Sequence, residues 1–121
     1  MRIIVTGGRS YIAHQAIRDV LATYDATPPP ILVHGAASGA DRTAAQVATH
    51  VLGWPVEEHP ADWKQHGRAA GPIRNAAMVS LGADILIAFP GGKGTADMTR
   101  RAQAAGIPVR RVTEHHMEGL S

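Results

Sequence analysis

The amino-acid sequence predicts an α/β fold: a doubly wound, mainly parallel five-stranded sheet with helices on both faces. Three observations carry this expectation. Five short candidate strands, most of them rich in Val, Ile and Leu, alternate with segments whose apolar residues recur at helical spacing. The first run, Arg2–Thr6, is apolar without alternation after its first residue, as in a strand buried on both faces. Glycine or proline closes nearly every segment, so the units are joined by tight turns rather than linkers.

The elements follow in order. Arg2–Thr6 is a β-branched run stopped by Gly7-Gly8. Ser10 is positioned to cap a helix whose stripe is Ile12, Ala13, Ala16, Ile17, Val20 and Leu21. Pro28-Pro29-Pro30 ends that unit, and Ile31–His34 is a second strand broken by Gly35. Asp41 opens a helix with the stripe Ala44, Ala45, Val47, Ala48 and Val51, stopped at Gly53. Residues 54–59 form a poorer third strand, and residues 61–71 read as an irregular loop. Pro72 then starts a helix with Ile73, Ala76, Ala77 and Leu81 as its inner face, capped by Gly82. Residues 84–89 are the fourth strand, ended by Pro90-Gly91-Gly92. A fourth helix opens at Gly94 or Thr95, runs to Ala105 and stops at Gly106. Residues 107–112 are the fifth strand, so one domain spans residues 1–112, with 113–121 as a C-terminal tail.

Composition narrows the function classes. At 121 residues there is room for one domain. No cysteine is present, which removes disulfides, Cys-ligated zinc, iron–sulfur clusters and thiol nucleophiles. The seven histidines include no H-E-x-x-H, so no metal is expected, and no G-x-S-x-G elbow supports a serine hydrolase. The N-terminal apolar run is too short for a signal peptide, and nothing approaches the roughly 20 apolar residues of a membrane span. A cytoplasmic protein without membrane contact is the expectation. Net charge is +2, with ten Arg against two Lys and five aromatics. That balance disfavours a groove tracking single-stranded nucleic acid, which needs positive potential with interleaved aromatics.

If the strands are parallel, their C-terminal ends share one rim, where open α/β sheets bind ligands. Gly7-Gly8-Arg9-Ser10 there reads either as a tight turn with a cap or as an anion-binding turn with an arginine fork. Gly91-Gly92-Lys93-Gly94-Thr95 has more glycines than a turn needs, and suits a concavity of amide hydrogens facing a phosphate. Between the second strand and helix stand His34, Gly35, Ser38, Gly39 and Asp41. Asp41 can be an N-cap, a ribose acceptor or a base; His34 can be structural or contact a ligand. Arg74 and Asn75 lie in a first helical turn, where a cation opposes the helix dipole and calls for an anion. That anion is a ligand, or else Asp62 or Glu58 in a salt bridge. Trp63 is either a base-stacking residue or an apolar anchor.

These motifs together resemble the SLOG superfamily, and within it the small single-domain YspA/cpYpsA-related group of bacteria and their phages. The resemblance rests on the strand–Gly7-Gly8-Arg9 start, His34-Gly-x-x-x-Gly-x-Asp41, Pro60-Ala-Asp-Trp63, Gly71-Pro-x-Arg74-Asn75 and Pro90-Gly-Gly-x-Gly-Thr95, over roughly residues 1–112. It implies a Rossmann-like fold, a bound nucleotide or nucleotide-derived ligand with no cofactor required, and a homodimer or larger assembly. Superfamily members include LOG-type phosphoribohydrolases, DprA-type DNA-processing proteins and sensor domains for NAD- or ADP-ribose-derived signals. The LOG-type motif ends in a catalytic Glu, and that position here is Met98. The adjacent Asp97 is displaced by about 100° around a helix.

The leading expectation is therefore a nucleotide-binding module acting as sensor, carrier or sponge. Its phosphate would lie on the Gly91–Thr95 amides, Arg9 and Arg74 would neutralise it, Ser38 and Asp41 would hold ribose, and Trp63 or His34 would meet the base. The alternative is an N-glycosidase of LOG type using Asp41 or Asp97, with Arg74 essential. Single-stranded DNA binding of DprA type is a third.

Overall fold

The computed structural model describes residues 1–113. Strands β1 (Arg2–Thr6), β2 (Ile31–His34), β3 (Val56–Glu58), β4 (Ile85–Ala88) and β5 (Val109–Arg111) form one sheet in the order β3-β2-β1-β4-β5. All four pairings are parallel, with Ile3 opposite both Leu32 and Ile85. The helices are α1 (His14–Ala22), α2 (Ala40–Gln46), α3 (Trp63–His66), α4 (Ala70–Ser80) and α5 (Lys93–Ala104).

Side chains of successive strand residues take opposite faces, and the core divides accordingly. Ile3 and Val5 pack with Leu32, Ile87 and the α1–α2 residues Ile17, Val20, Leu21 and Ala44. Ile4 packs with Val33, Leu86, Met78 of α4, and Met98 and Ala102 of α5. Each such fully buried aliphatic side chain contributes about 1.5–3 kcal/mol. The expected doubly wound α/β architecture, with helices flanking an all-parallel sheet, is the one observed.

The structure corrects three local expectations. Helix α1 begins at His14 behind Ala13, with no side-chain cap, so Ser10 is not its N-cap. Residues 8–13 are instead held over the sheet end: Tyr11 N–H donates to Gly8 O at 3.1 Å and the Tyr11 ring stacks on Phe89. Ile12 is left exposed. Residues 61–71 are not irregular: Asp62 accepts from Gln65 N–H at 3.1 Å to start α3, a 3₁₀ turn spans Gly67–Ala69, and α4 follows. A four-residue helix is too short for apolar periodicity to reveal.

Helix α4 is also rotated from its expected setting. Its buried residues are Ala70, Gly71, Asn75 and Met78, whereas Ile73 and Leu81 are 46% and 59% exposed. Asn75 takes the inner position because all its polar groups find partners there. An apolar period cannot anticipate a satisfied buried amide.

Helix α2 continues as a π-helical stretch, Val47–Leu52, until Gly53 stops it in the left-handed region at φ 71°. From residue 114 onward the expected tail lies outside the described residues. No described helix is long and apolar enough to cross a membrane.

Candidate functional site

In this strand order the chain winds one way from β1 to β3 and the other way from β4 to β5. The C-terminal ends of β1 and β4 therefore border a crevice at the topological switch point. A cavity of about 740 Å³ opens there. Gly7, Gly8 and Arg9 from the β1 end line it, as do Gly35, Ser38 and Asp41 from the β2–α2 connection. Trp63, Arg74 and Asn75 line the α3–α4 side, and Gly92, Lys93, Gly94 and Thr95 the α5 side. Four motifs far apart in sequence thus share one concavity.

The glycines of the α5 loop separate into two kinds. A Cβ on Gly91 would strike Thr95 Oγ1 and come within 2.7 Å of Gly8 N, so Gly91 lets two loops cross. A Cβ on Gly92 or Gly94 would meet nothing within 4 Å. Packing leaves those two unexplained, and they leave open space beside the first turn of a twelve-residue helix. Amides in such a turn lack partners inside the helix and carry its positive end. Gly39 resembles Gly91: at φ 78°, its Cβ would strike the Gly8 and Arg9 carbonyls.

Arg74 is half-buried and makes neither of the salt bridges its position suggested. Its Nη1 donates to Gly35 O and, at 3.4 Å, to His59 O, while Nε donates to Asn75 Oδ1 at 2.9 Å. Burial pushes its pKa down from the ordinary arginine value, and Asp41 across the cavity partly offsets this. The guanidinium is thus fixed by carbonyls that orient it without neutralising it.

Asp41 is 5% exposed, with Oδ2 accepting from Gly35 N–H at 2.9 Å and Ala37 N–H at 3.4 Å. Burial raises its pKa against those two bonds and the charge of Arg74. Its first work is to shape the loop it faces. His34 is buried, and Nδ1 accepts from Ala36 N–H at 3.0 Å. Desolvation lowers its pKa, keeping the ring neutral as that acceptor requires. His34 thus braces the loop without lining the cavity, and Ser10, Gly39 and Gly91 are likewise outside the lining.

On α5, Met98 and Asp97 both reach the cavity wall. Met98 is 2% exposed and belongs to the core. Asp97 Oδ2 accepts from Asn75 Nδ2 at 3.0 Å and Arg101 Nε at 2.9 Å, and Oδ1 accepts from Arg100 at 3.2 Å. Burial works to raise its pKa, but these donors outweigh it and hold the carboxyl below its usual range.

The remaining charges are cationic. Arg9, Arg68 and Lys93 line the cavity along with Arg74, and none of the four makes a salt bridge with a described residue. The Arg9 guanidinium stands 5.8 Å from the centroid of the Trp63 ring, which is 50% exposed at the mouth. Arg68 carries no sequence signal of its own, because residues 61–71 show no apolar period that would place it on a helix facing the rim. Among the described residues no cluster of His, Asp or Glu could hold a metal ion.

The chain is similar to a known family and to a phage protein. The family model for YAcAr, the YspA, cpYpsA-related SLOG family, matches residues 1–66. The chain is also 42% identical over 116 residues to "Gene 61 protein" of Mycobacterium phage D29, covering 89% of this chain and 93% of that one.

Proposed function

Because this chain belongs to the YspA, cpYpsA-related SLOG family, we propose that it binds a nucleotide or nucleotide-derived small molecule in the switch-point cavity. A phosphate on the first-turn amides of α5 uses the open space at Gly92 and Gly94 and the positive end of that helix. Arg74, Arg9 and Lys93 supply countercharge, Ser38 and Asp41 face the ribose, and Trp63 offers a stacking surface. The observation that supports this reading best is the set of four cavity cations without carboxylate partners among the described residues.

Binding is favoured over N-glycosidic hydrolysis. That chemistry calls for a carboxylate free to support an oxocarbenium-like state or to position water. Asp97 is committed to three donors, and Asp41 to two loop amides. Calorimetry against nucleoside monophosphates, NAD and ADP-ribose tests the binding proposal. One or more should give heat, with affinity falling at least about tenfold in Arg74→Ala, as loss of a charge-assisted bond implies. No heat from any of them near ~1 mM, the weak end of useful affinities, overturns it.

Self-association belongs to the same proposal. The only charged residue of α4, Arg74, faces inward, while Ile73, Ala77 and Leu81 form an uncharged outward stripe. Large, small and large residues at i, i+4 and i+8 suit a two-fold contact with a second copy centred on Ala77. Sedimentation should give a dimer that Leu81→Lys converts to monomer; a monomeric native chain excludes it.

A further inference from the structure

Asn75 was singled out by sequence as a ligand contact, but its polar atoms are already engaged. It is 4% exposed. Oδ1 accepts from Arg74 Nε at 2.9 Å, and Nδ2 donates to Asp97 Oδ2 at 3.0 Å and Gly94 O at 3.4 Å. Arg74 can only donate and an ionised Asp97 can only accept, so the amide has one workable orientation. This single side chain therefore joins the cavity's half-buried guanidinium to the first turn of α5, two features on different helices.

We propose that Asn75 is a positioning residue, which fixes Arg74 and the Gly94 peptide in register so that both face one anion. This rests on the anion-binding reading above. Apolar residues at this position leave Asp97 and Arg74 each short of a partner, and an ionised carboxylate repels Asp97. Asn75→Asp is therefore informative. Ionised, the new carboxylate opposes Asp97 and neutralises Arg74. Protonated, it accepts from Arg74 and donates its single O–H hydrogen bond to Asp97, restoring the two shorter of the three native bonds and with them the tie to α5. The charged groups facing this position are Arg74 on α4, Asp97 on α5 with Arg100 and Arg101 behind it, and Asp41 across the cavity. Two carboxylates sharing a site raise one another's pKa, which brings the switch into a workable pH range.

The test uses inorganic sulfate, whose charge is constant across the range, with wild type measured in parallel. At about pH 7, Asn75→Asp should bind sulfate at least about tenfold more weakly than wild type. At about pH 4.5 the gap should close to within about threefold, as the new carboxyl protonates. The ligand-free readout is the amide resonances of Lys93, Gly94 and Thr95. These should move in Asn75→Asp at neutral pH and shift back toward the wild-type positions on acidification, as the Asp97 tie re-forms, a reversal that a general loss of packing would not produce. Unchanged sulfate affinity at neutral pH, or α5 resonances that do not move, overturns the proposal. If wild type binds no sulfate while the resonances move and shift back, Asn75 positions the turn as stated and the anion-binding reading is what fails.

Discussion

Asn75 Nδ2 lies 3.0 Å from Asp97 Oδ2, joining the buried amide of α4 to the one carboxylate of α5. Asp97 is in turn held by Arg100 and Arg101 from its own helix. Removing the carboxylate leaves a buried amide short of its acceptor. Asp97→Ala should destabilise the protein by about 1–3 kcal/mol, the cost of an unsatisfied buried polar group. Denaturant unfolding at neutral pH checks this; an effect within the range of ordinary surface substitutions would mean that the Asn75–Asp97 bond contributes little.

The two kinds of glycine in the α5 loop predict opposite responses. Gly94→Ala should stabilise the helix by about 0.5–1 kcal/mol, since alanine removes backbone freedom and its Cβ meets nothing within 4 Å. The same methyl group should weaken nucleotide binding by intruding on the proposed phosphate site. Gly91→Ala should instead cost about 1–3 kcal/mol through the clash with Thr95 and Gly8. Melting temperatures and binding isotherms of the two variants distinguish them, and a destabilised Gly94→Ala contradicts the assignment.

The two tryptophans report different places. Trp54 is 3% exposed and its Nε1 donates to Asp25 at 2.8 Å, whereas Trp63 stands half-exposed beside Arg9 at the cavity mouth. A bound base stacked on Trp63 should quench emission, and Trp63→Leu should abolish the change while weakening affinity by roughly tenfold. A fluorescence response that survives Trp63→Leu would place the base elsewhere.

Acid stability depends on a group that does not line the cavity. Glu57 on β3 accepts both Arg2 Nη atoms, at 2.8 and 2.7 Å, and bonds His59 Nε2 at 2.7 Å. The Arg2 and His59 hydrogen bonds hold its pKa down to about 2, from an ordinary 4.5. A depressed carboxyl stabilises the fold above its unfolded value and loses that contribution as pH falls through the folded one. Glu57→Gln should therefore be less stable than wild type at neutral pH. The difference should shrink between about pH 4.5 and 2 and vanish below. Unfolding midpoints across that range decide the matter, and a gap that widens with acid refutes it.

Much of the architecture was legible along the chain. β1 and β2 end where glycine interrupts an apolar run, and Gly53, Gly82 and Gly106 adopt the positive φ expected where helices stop. The rim loops were identifiable because parallel strands place every strand-to-helix turn at one edge. Less legible were the features set by partners distant in sequence. Tyr11 stacking on Phe89 delays α1 beyond Ser10, and Asn75 bonding to α5 turns α4 so that Ile73 and Leu81 face outward. For Arg74 the sequence offers Asp62, Glu58 or a ligand; its protein partners are the carbonyls of Gly35 and His59 and the side-chain oxygen of Asn75.

The sequence by itself determined the alternation of five strands with the longer helices, the single rim and the motif set of the family. Local patterns suffice for these, because apolar runs and glycine stops act over a few residues and right-handed crossovers leave little choice of layout. Only the tertiary structure decided which glycines are packed and which leave open space, which cations lack carboxylate partners, and that Asp97 is bound to Asn75. Those properties depend on what each side chain or backbone atom meets from the other end of the chain, and no window along the sequence contains that neighbour.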